Sequence, residues 1–117
     1  MPQYRVSTFT GDVENAGTDA NVFITIYGSI RAVGPATLDN AEDNFERGKE
    51  DHFTLDLSDV GRVERINIRH DNSGDKAGWF LNRVTIDVDG DHAEFPCHRW
   101  LALDEDDHKT EVDLQRA

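Results

Sequence analysis

Val22-Phe23-Ile24-Thr25-Ile26-Tyr27 is β-branched or aromatic at every position and is closed by Gly28. The run is too short for a self-supporting helix, and its residue types suit a pleated strand. Its neighbours repeat the signal. Tyr4 to Phe9 alternates, with Tyr4, Val6 and Thr8 on one face and Arg5, Ser7 and Phe9 on the other. His52 to Leu57 alternates around Phe53, Leu55 and Leu57, and Val63 to His70 through Val63, Ile66 and Ile68. Phe80 to Val88 runs through Val84, Ile86 and Val88. Phe95 to Leu103 carries Phe95, Cys97, Trp100 and Leu101, and Glu111 to Leu114 alternates Val112 and Leu114. Gly, Asp and Asn punctuate the gaps, as turns between strands require.

Two further stretches are less decided. Ile30-Arg31-Ala32-Val33-Gly34-Pro35-Ala36 reads either as an apolar patch that meets lipid or a protein, or as an edge strand folded back on the domain. Ala41 to Gly48 can form one helical turn, with Asn40 as its cap and Gly48 as its stop. No longer window keeps a helical period. Seven or eight short strands without helices predict an all-β sandwich or barrel.

The 117 residues make room for one domain spanning 1–117. Chains of this size bury roughly two-thirds of the surface their unfolded forms expose, so no staple is needed. The 24 acids outnumber the 12 bases, for a net charge of −12. Such a surface repels phosphate backbones and argues against nucleic acid as a partner. It also opposes anionic lipid unless bound cations neutralise it locally. Cys97 is the lone cysteine, which excludes a disulfide framework and a cysteine zinc site and suits a buried thiol. No apolar run reaches membrane-spanning length and Met1-Pro2-Gln3 begins no signal peptide, so the expected location is cytoplasmic or peripheral to a membrane.

Three loops concentrate oxygen-bearing side chains: Thr10 to Asn21, Leu38 to Phe45, and His70 to Asp75. Calcium takes six to eight oxygens from carboxylates, amides and backbone carbonyls, and these loops offer all three kinds. The same residues also make ordinary turns, so composition leaves both readings open. Catalysis finds little support. His52, His70, His92, His98 and His108 are scattered, and no Ser or Cys sits in a nucleophile motif. Trp79 and Trp100 lie at strand ends among apolar neighbours and read as core aromatics.

The ordered set of short motifs resembles a PLAT domain, the module of polycystin-1, lipoxygenases and clostridial alpha-toxin. It begins with Tyr4-x-Val6-x-Thr8, Thr10-Gly11-Asp12 and Ala16-Gly17-Thr18-Asp19-Ala20-Asn21-Val22. It continues with Tyr27-Gly28, Leu38-Asp39, Phe45-Glu46-Arg47-Gly48 and Asp51-x-Phe53. Gly61, Ile66-x-Ile68-x-His70-Asp71-Asn72-Ser73-Gly74, Trp79-Phe80-Leu81 and Phe95-x-Cys97-x-x-Trp100-Leu101 complete it. The resemblance implies an antiparallel sandwich of two four-stranded sheets. It further implies calcium ligands at Gly17, Thr18 and Asp19, at Asp39, Asn40, Glu42 and Asn44, and at Asp71 with Asn72. His70 is expected to hydrogen-bond rather than to ligate.

One departure stands out. Membrane-binding members carry aromatics at their loop tips, whereas the tips here read Glu14-Asn15 and Asp75-Lys76. The expected function is a non-enzymatic, calcium-binding recruitment module for a membrane surface or a protein, acting as a monomer or within a larger protein. The alternative is a calcium-independent protein-interaction module, and a hydrolase or carbohydrate-binding sandwich is the remaining reading.

Overall fold

The computed structural model describes residues 2–14, 16–18, 20–39, 45–72, 78–102 and 109–117. Eight strands follow one another: β1 (Gln3–Thr10), β2 (Val22–Gly28), β3 (Ala32–Thr37), β4 (Glu50–Asp56), β5 (Val63–His70), β6 (Trp79–Val88), β7 (Asp91–Leu101) and β8 (Glu111–Gln115). They form two four-stranded sheets, ordered β4-β1-β6-β7 and β3-β2-β5-β8, with every pairing antiparallel. This is the sandwich of two four-stranded sheets that the family resemblance implied, and it decides between the sandwich and the barrel that alternation left open.

Register follows the apolar parity, because a one-residue slip would turn each inward face to water. Val6 lies between Phe53 of β4 and Ile86 of β6, while Ile24 and Ile26 face Ile68 and Ile66 across β2 and β5. All seven are buried, and each such side chain contributes about 1.5–3 kcal/mol when withdrawn from water. Tyr4 is buried with its hydroxyl satisfied: it donates to Ser58 O (3.1 Å) and accepts from Val60 N (3.1 Å). That pair holds the β4–β5 crossover under the core. Gly28 ends β2 where Val60 passes over it, and a Cβ there would lie 2.2 Å from Val60 O.

The undecided stretch resolves as β3, an edge strand on β2, yet much of it stays exposed and Ile30 is 64% exposed beside it. Residues 41–44 of the suggested helical turn lie outside the described residues; the remainder is a bend and turn with Lys49 N bonded to Glu46 O at 3.0 Å. Two core expectations need correction. Cys97 is only half-buried, because β7 carries a bulge between Pro96 and Arg99 with His98 at φ 54°, which lifts the strand locally. Trp100 is also half-buried, packing edge-on against Phe80 at 5.4 Å on the outer side of its sheet. Its parity opposes that of the inward Leu101.

Candidate functional site

The connections β1–β2, β3–β4, β5–β6 and β7–β8 emerge at one end of the sandwich, and β2–β3, β4–β5 and β6–β7 at the other. Main-chain bonds show the first group meeting. Phe80 N bonds Ala16 O (2.9 Å), Thr18 N bonds Phe45 O (2.9 Å), Asp71 N bonds Asn21 O (3.1 Å) and His70 N bonds Thr110 O (3.0 Å). The three oxygen-rich loops therefore share one end, and exposed Ile30 lies at the opposite end.

Gly17 and Thr18 rest against the close of the second loop. A Cβ on Gly17 would stand 2.8 Å from Phe45 O, so only glycine allows this approach without displacement. Thr18 is buried and its hydroxyl accepts from Ala20 N at 3.1 Å. Phe45 is the anchor. Its backbone is left-handed at φ 62°, its N–H donates to Asp51 Oδ2 at 2.8 Å, and its ring packs on Phe53 and Trp79 at 5.6 and 5.1 Å. Asp51 is fully buried, and its other oxygen lies 3.3 Å from the Lys49 ammonium. Trp79 sits in the core beneath, its indole N–H donating to Thr10 Oγ1 at 2.9 Å. Its core assignment holds.

The third loop is tied to the first. Asp71 accepts from Asn21 N (3.2 Å) through Oδ1 and from Asn21 Nδ2 (2.9 Å) through Oδ2. Asn72 follows at φ 58°, a left-handed conformation that asparagine tolerates. Its N–H donates to His70 Nδ1 at 3.0 Å, while His70 Nε2 lies 2.6 Å from Leu101 O. A carbonyl only accepts, so Nε2 carries the proton and Nδ1 is the acceptor. Burial pushes the His70 pKa below 6.5, against the Leu101 carbonyl and Asp71, which raise it less. Both ring nitrogens are engaged, so His70 serves as a hydrogen-bonding post.

Asp39 is exposed at the end of β3 and makes no hydrogen bond or ion pair with a described residue. It follows Leu38, whose N–H bonds Val22 O at 2.9 Å. Asp39 and Asp71 thus flank the start of β2, just past the ends of the strands either side of it. Asp19, Asn40, Glu42 and Asn44 lie outside the described residues. Among the described residues no three His, Cys, Asp or Glu come together as a metal cluster. Those that remain fit a hard cation in kind: carboxylate, hydroxyl and carbonyl oxygens, with the nearby imidazole already occupied. Of the two tips, Glu14 is exposed beside Val13, which is 41% exposed; Asp75-Lys76 lies outside the described residues.

Sequence reasoning meets Asp51 and Asn21 within motifs and assigns neither a role. Asp51 shares the inward parity of Phe53 and Leu55, and an acid in phase with a core stripe is the signal that marks it.

Among the described residues no helix is long and apolar enough to cross a membrane. A lipoxygenase homology domain-containing protein 1 from Mus musculus is 49% identical over 114 residues, covering 96% of this chain and 6% of its own length. A coral 8R-lipoxygenase, described as calcium-activated via a C2-like domain, superposes with a TM-score of 0.87 at 32% identity, over 98% of this chain and 17% of that one. A calcium-dependent 11R-lipoxygenase gives a TM-score of 0.78 at 26% identity, over 99% and 17%. The chain therefore spans less than a fifth of the length of these relatives. In lipoxygenases and polycystins the domain is a non-catalytic β-sandwich module. The PLAT/LH2 family model matches residues 4–115, and with the eight-stranded sandwich and the relatives this shows that the chain belongs to the PLAT/LH2 domain family.

Proposed function

We propose that the domain is a non-enzymatic recruitment module that binds calcium in the loops at one end of the sandwich and thereby docks to a membrane surface or a protein. The observation that carries the reading is that Gly17-Thr18, Asp39 and Asp71-Asn72 all lie at the end of the sandwich where β2 begins. Asp19, Asn40, Glu42 and Asn44 are proposed to complete the oxygen set. The two lipoxygenases described as calcium-activated and calcium-dependent support it by likeness. Calcium here would neutralise carboxylates on a chain of net charge −12 and remove the main repulsion from an anionic surface.

An ion that binds only the folded form stabilises it by about 2.7 kcal/mol at 100 times its Kd, which for a domain of this size is about 10 °C in melting temperature. Calorimetry in calcium and in chelator reads this directly. Asp39→Ala should remove much of the shift with little effect on the chelated protein, since Asp39 holds no other described residue. Asp71→Ala should remove the shift and also lower the chelated baseline, because the Asn21 clamp is lost with it. An unchanged melting temperature at millimolar calcium sinks the ion reading.

The second reading is a calcium-independent protein-interaction module. The exposed, hydrophilic Glu14 at a loop tip favours it, since a carboxylate there opposes insertion into a bilayer. It predicts partner capture that chelator leaves unchanged.

A further inference from the structure

Three arginines among the described residues lie over aromatic rings: Arg65 on Tyr27 (3.8 Å), Arg83 on Phe9 (4.1 Å) and Arg69 on Phe23 (4.8 Å). Two of them carry a carboxylate, Asp113 at 3.9 Å from Arg65 and Glu94 at 2.8 Å from Arg83. The Arg69 guanidinium makes no hydrogen bond or ion pair with any described residue. In a chain with 24 acids and 12 bases, a guanidinium held in place and left without an anion among the described residues is unusual. The carboxylate nearest to it by register is Glu111, across the β5–β8 ladder, and its Oε2 instead accepts from the Asn67 amide at 3.2 Å.

The position of Arg69 gives the vacancy its meaning. Arg69 is the penultimate residue of β5, on the outer face of the sheet, two residues before Asp71 at the loop end. Phe23 opposes it directly, two residues after Asn21. Stacking on a ring fixes the guanidinium plane while leaving its edge donors open, and a guanidinium fork matches two oxygens of a phosphate. Arg31 is the contrast: it is exposed where Arg69 is half-buried, and it sits in the β2–β3 connection at the far end.

We propose that Arg69, laid on Phe23, takes the phosphate of a phospholipid headgroup when the loop end meets a membrane. This rests on the recruitment reading above and assigns its lipid contact to one side chain. The phosphate approaches from the loop end, along the open edge of the guanidinium and past the side of Asp71.

The test is flotation of the protein with phosphatidylserine-containing vesicles in calcium, beside the calcium melting shift of each variant. Arg69→Gln should bind about fivefold more weakly, as one interfacial cation is worth, with its calcium shift unchanged. Arg69→Lys should fall between, keeping the charge and losing the fork. Arg31→Gln makes the same charge change at the far end and should bind as the parent does. Equal losses in Arg69→Gln and Arg31→Gln would reduce the effect to net charge and overturn the proposal, as would parental binding by Arg69→Gln. If calcium gives no melting shift, the ion reading fails separately. Binding in chelator that still depends on Arg69 and not on Arg31 then keeps the phosphate contact, and no binding at all removes it.

Discussion

At the scale of single residues, His70 shows what makes an imidazole beside an oxygen-rich loop a hydrogen-bonding group, as expected of it, and not a ligand. Its Nε2–H is given to Leu101 O and its Nδ1 to the N–H of Asn72, so a second proton on Nδ1 would set a donor against a donor. Burial lowers its folded pKa below 6.5, so the unfolded chain takes up the proton first as pH falls. The stabilisation is complete above 6.5 and is lost as pH drops through the window between 6.5 and the lower folded value. A proton NMR titration of the His70 ring should place its midpoint below 6.5, with the Asn72 amide losing protection in step. A midpoint at or above 6.5 contradicts the buried neutral tautomer. Asp51 and Asn21 belong to this scale as well. Each was visible as a letter, but their roles needed a partner, Phe45 N in one case and Asp71 in the other. Those partners are 6 and 50 residues away.

At the scale of elements, strand parity made most of the sandwich legible. Tyr4, Val6 and Thr8 face inward together, as do Ile66 and Ile68. Parity failed at the β7 bulge, where an added residue altered the burial of Cys97; at Trp100 it held, and the side of the strand outweighed the apolar character of the residue. Phe45 is the point where an irregular segment joins the core. Its left-handed backbone is costly for a bulky residue and persists because Asp51 and two aromatic rings hold it. Phe45→Ala should cost about 3–5 kcal/mol in urea unfolding, as other buried aromatic truncations do. It should also weaken the Thr18 contact, so amide exchange at Thr18 ought to quicken more than exchange within β5. Exchange that quickens equally in both would show Phe45 to be ordinary core.

At the scale of the molecule, the two sheets are joined along one side by Arg116. Its guanidinium, 14% exposed, bonds Asp91 Oδ1 (2.6 Å) and Oδ2 (2.9 Å) at the start of β7 and Val63 O (2.9 Å) at the start of β5. Ala117 N adds a bond to Glu94 O at 2.9 Å. The hydrogen bond from Arg116 holds the Asp91 carboxyl below 3.8, so this fork stabilises the fold above 3.8 and is lost as pH falls through the depressed value. Arg116→Gln should lower the denaturation midpoint at neutral pH, and the gap from the parent should close on acidification below 3.8. Arg116→Lys should recover part of it, keeping the charge without the two-pronged geometry. A gap that persists unchanged at low pH would assign the effect to side-chain packing.

The sequence by itself determined seven of the eight strands, their inward faces and therefore an all-β sandwich or barrel, because alternation is a local property that any strand must satisfy to bury one side; its resemblance to the family selected the sandwich. It also located the three oxygen-rich loops. Tertiary structure alone decided that these loops meet: Thr18 against Phe45, Asn21 on Asp71, and exposed Ile30 far from both. It alone left Arg69, among the described residues, without the carboxylate that its two stacked counterparts have. The reason is that these contacts depend on the order β4-β1-β6-β7 and β3-β2-β5-β8 and on which connections cross between sheets. A period of two along each strand is the same whatever that order is.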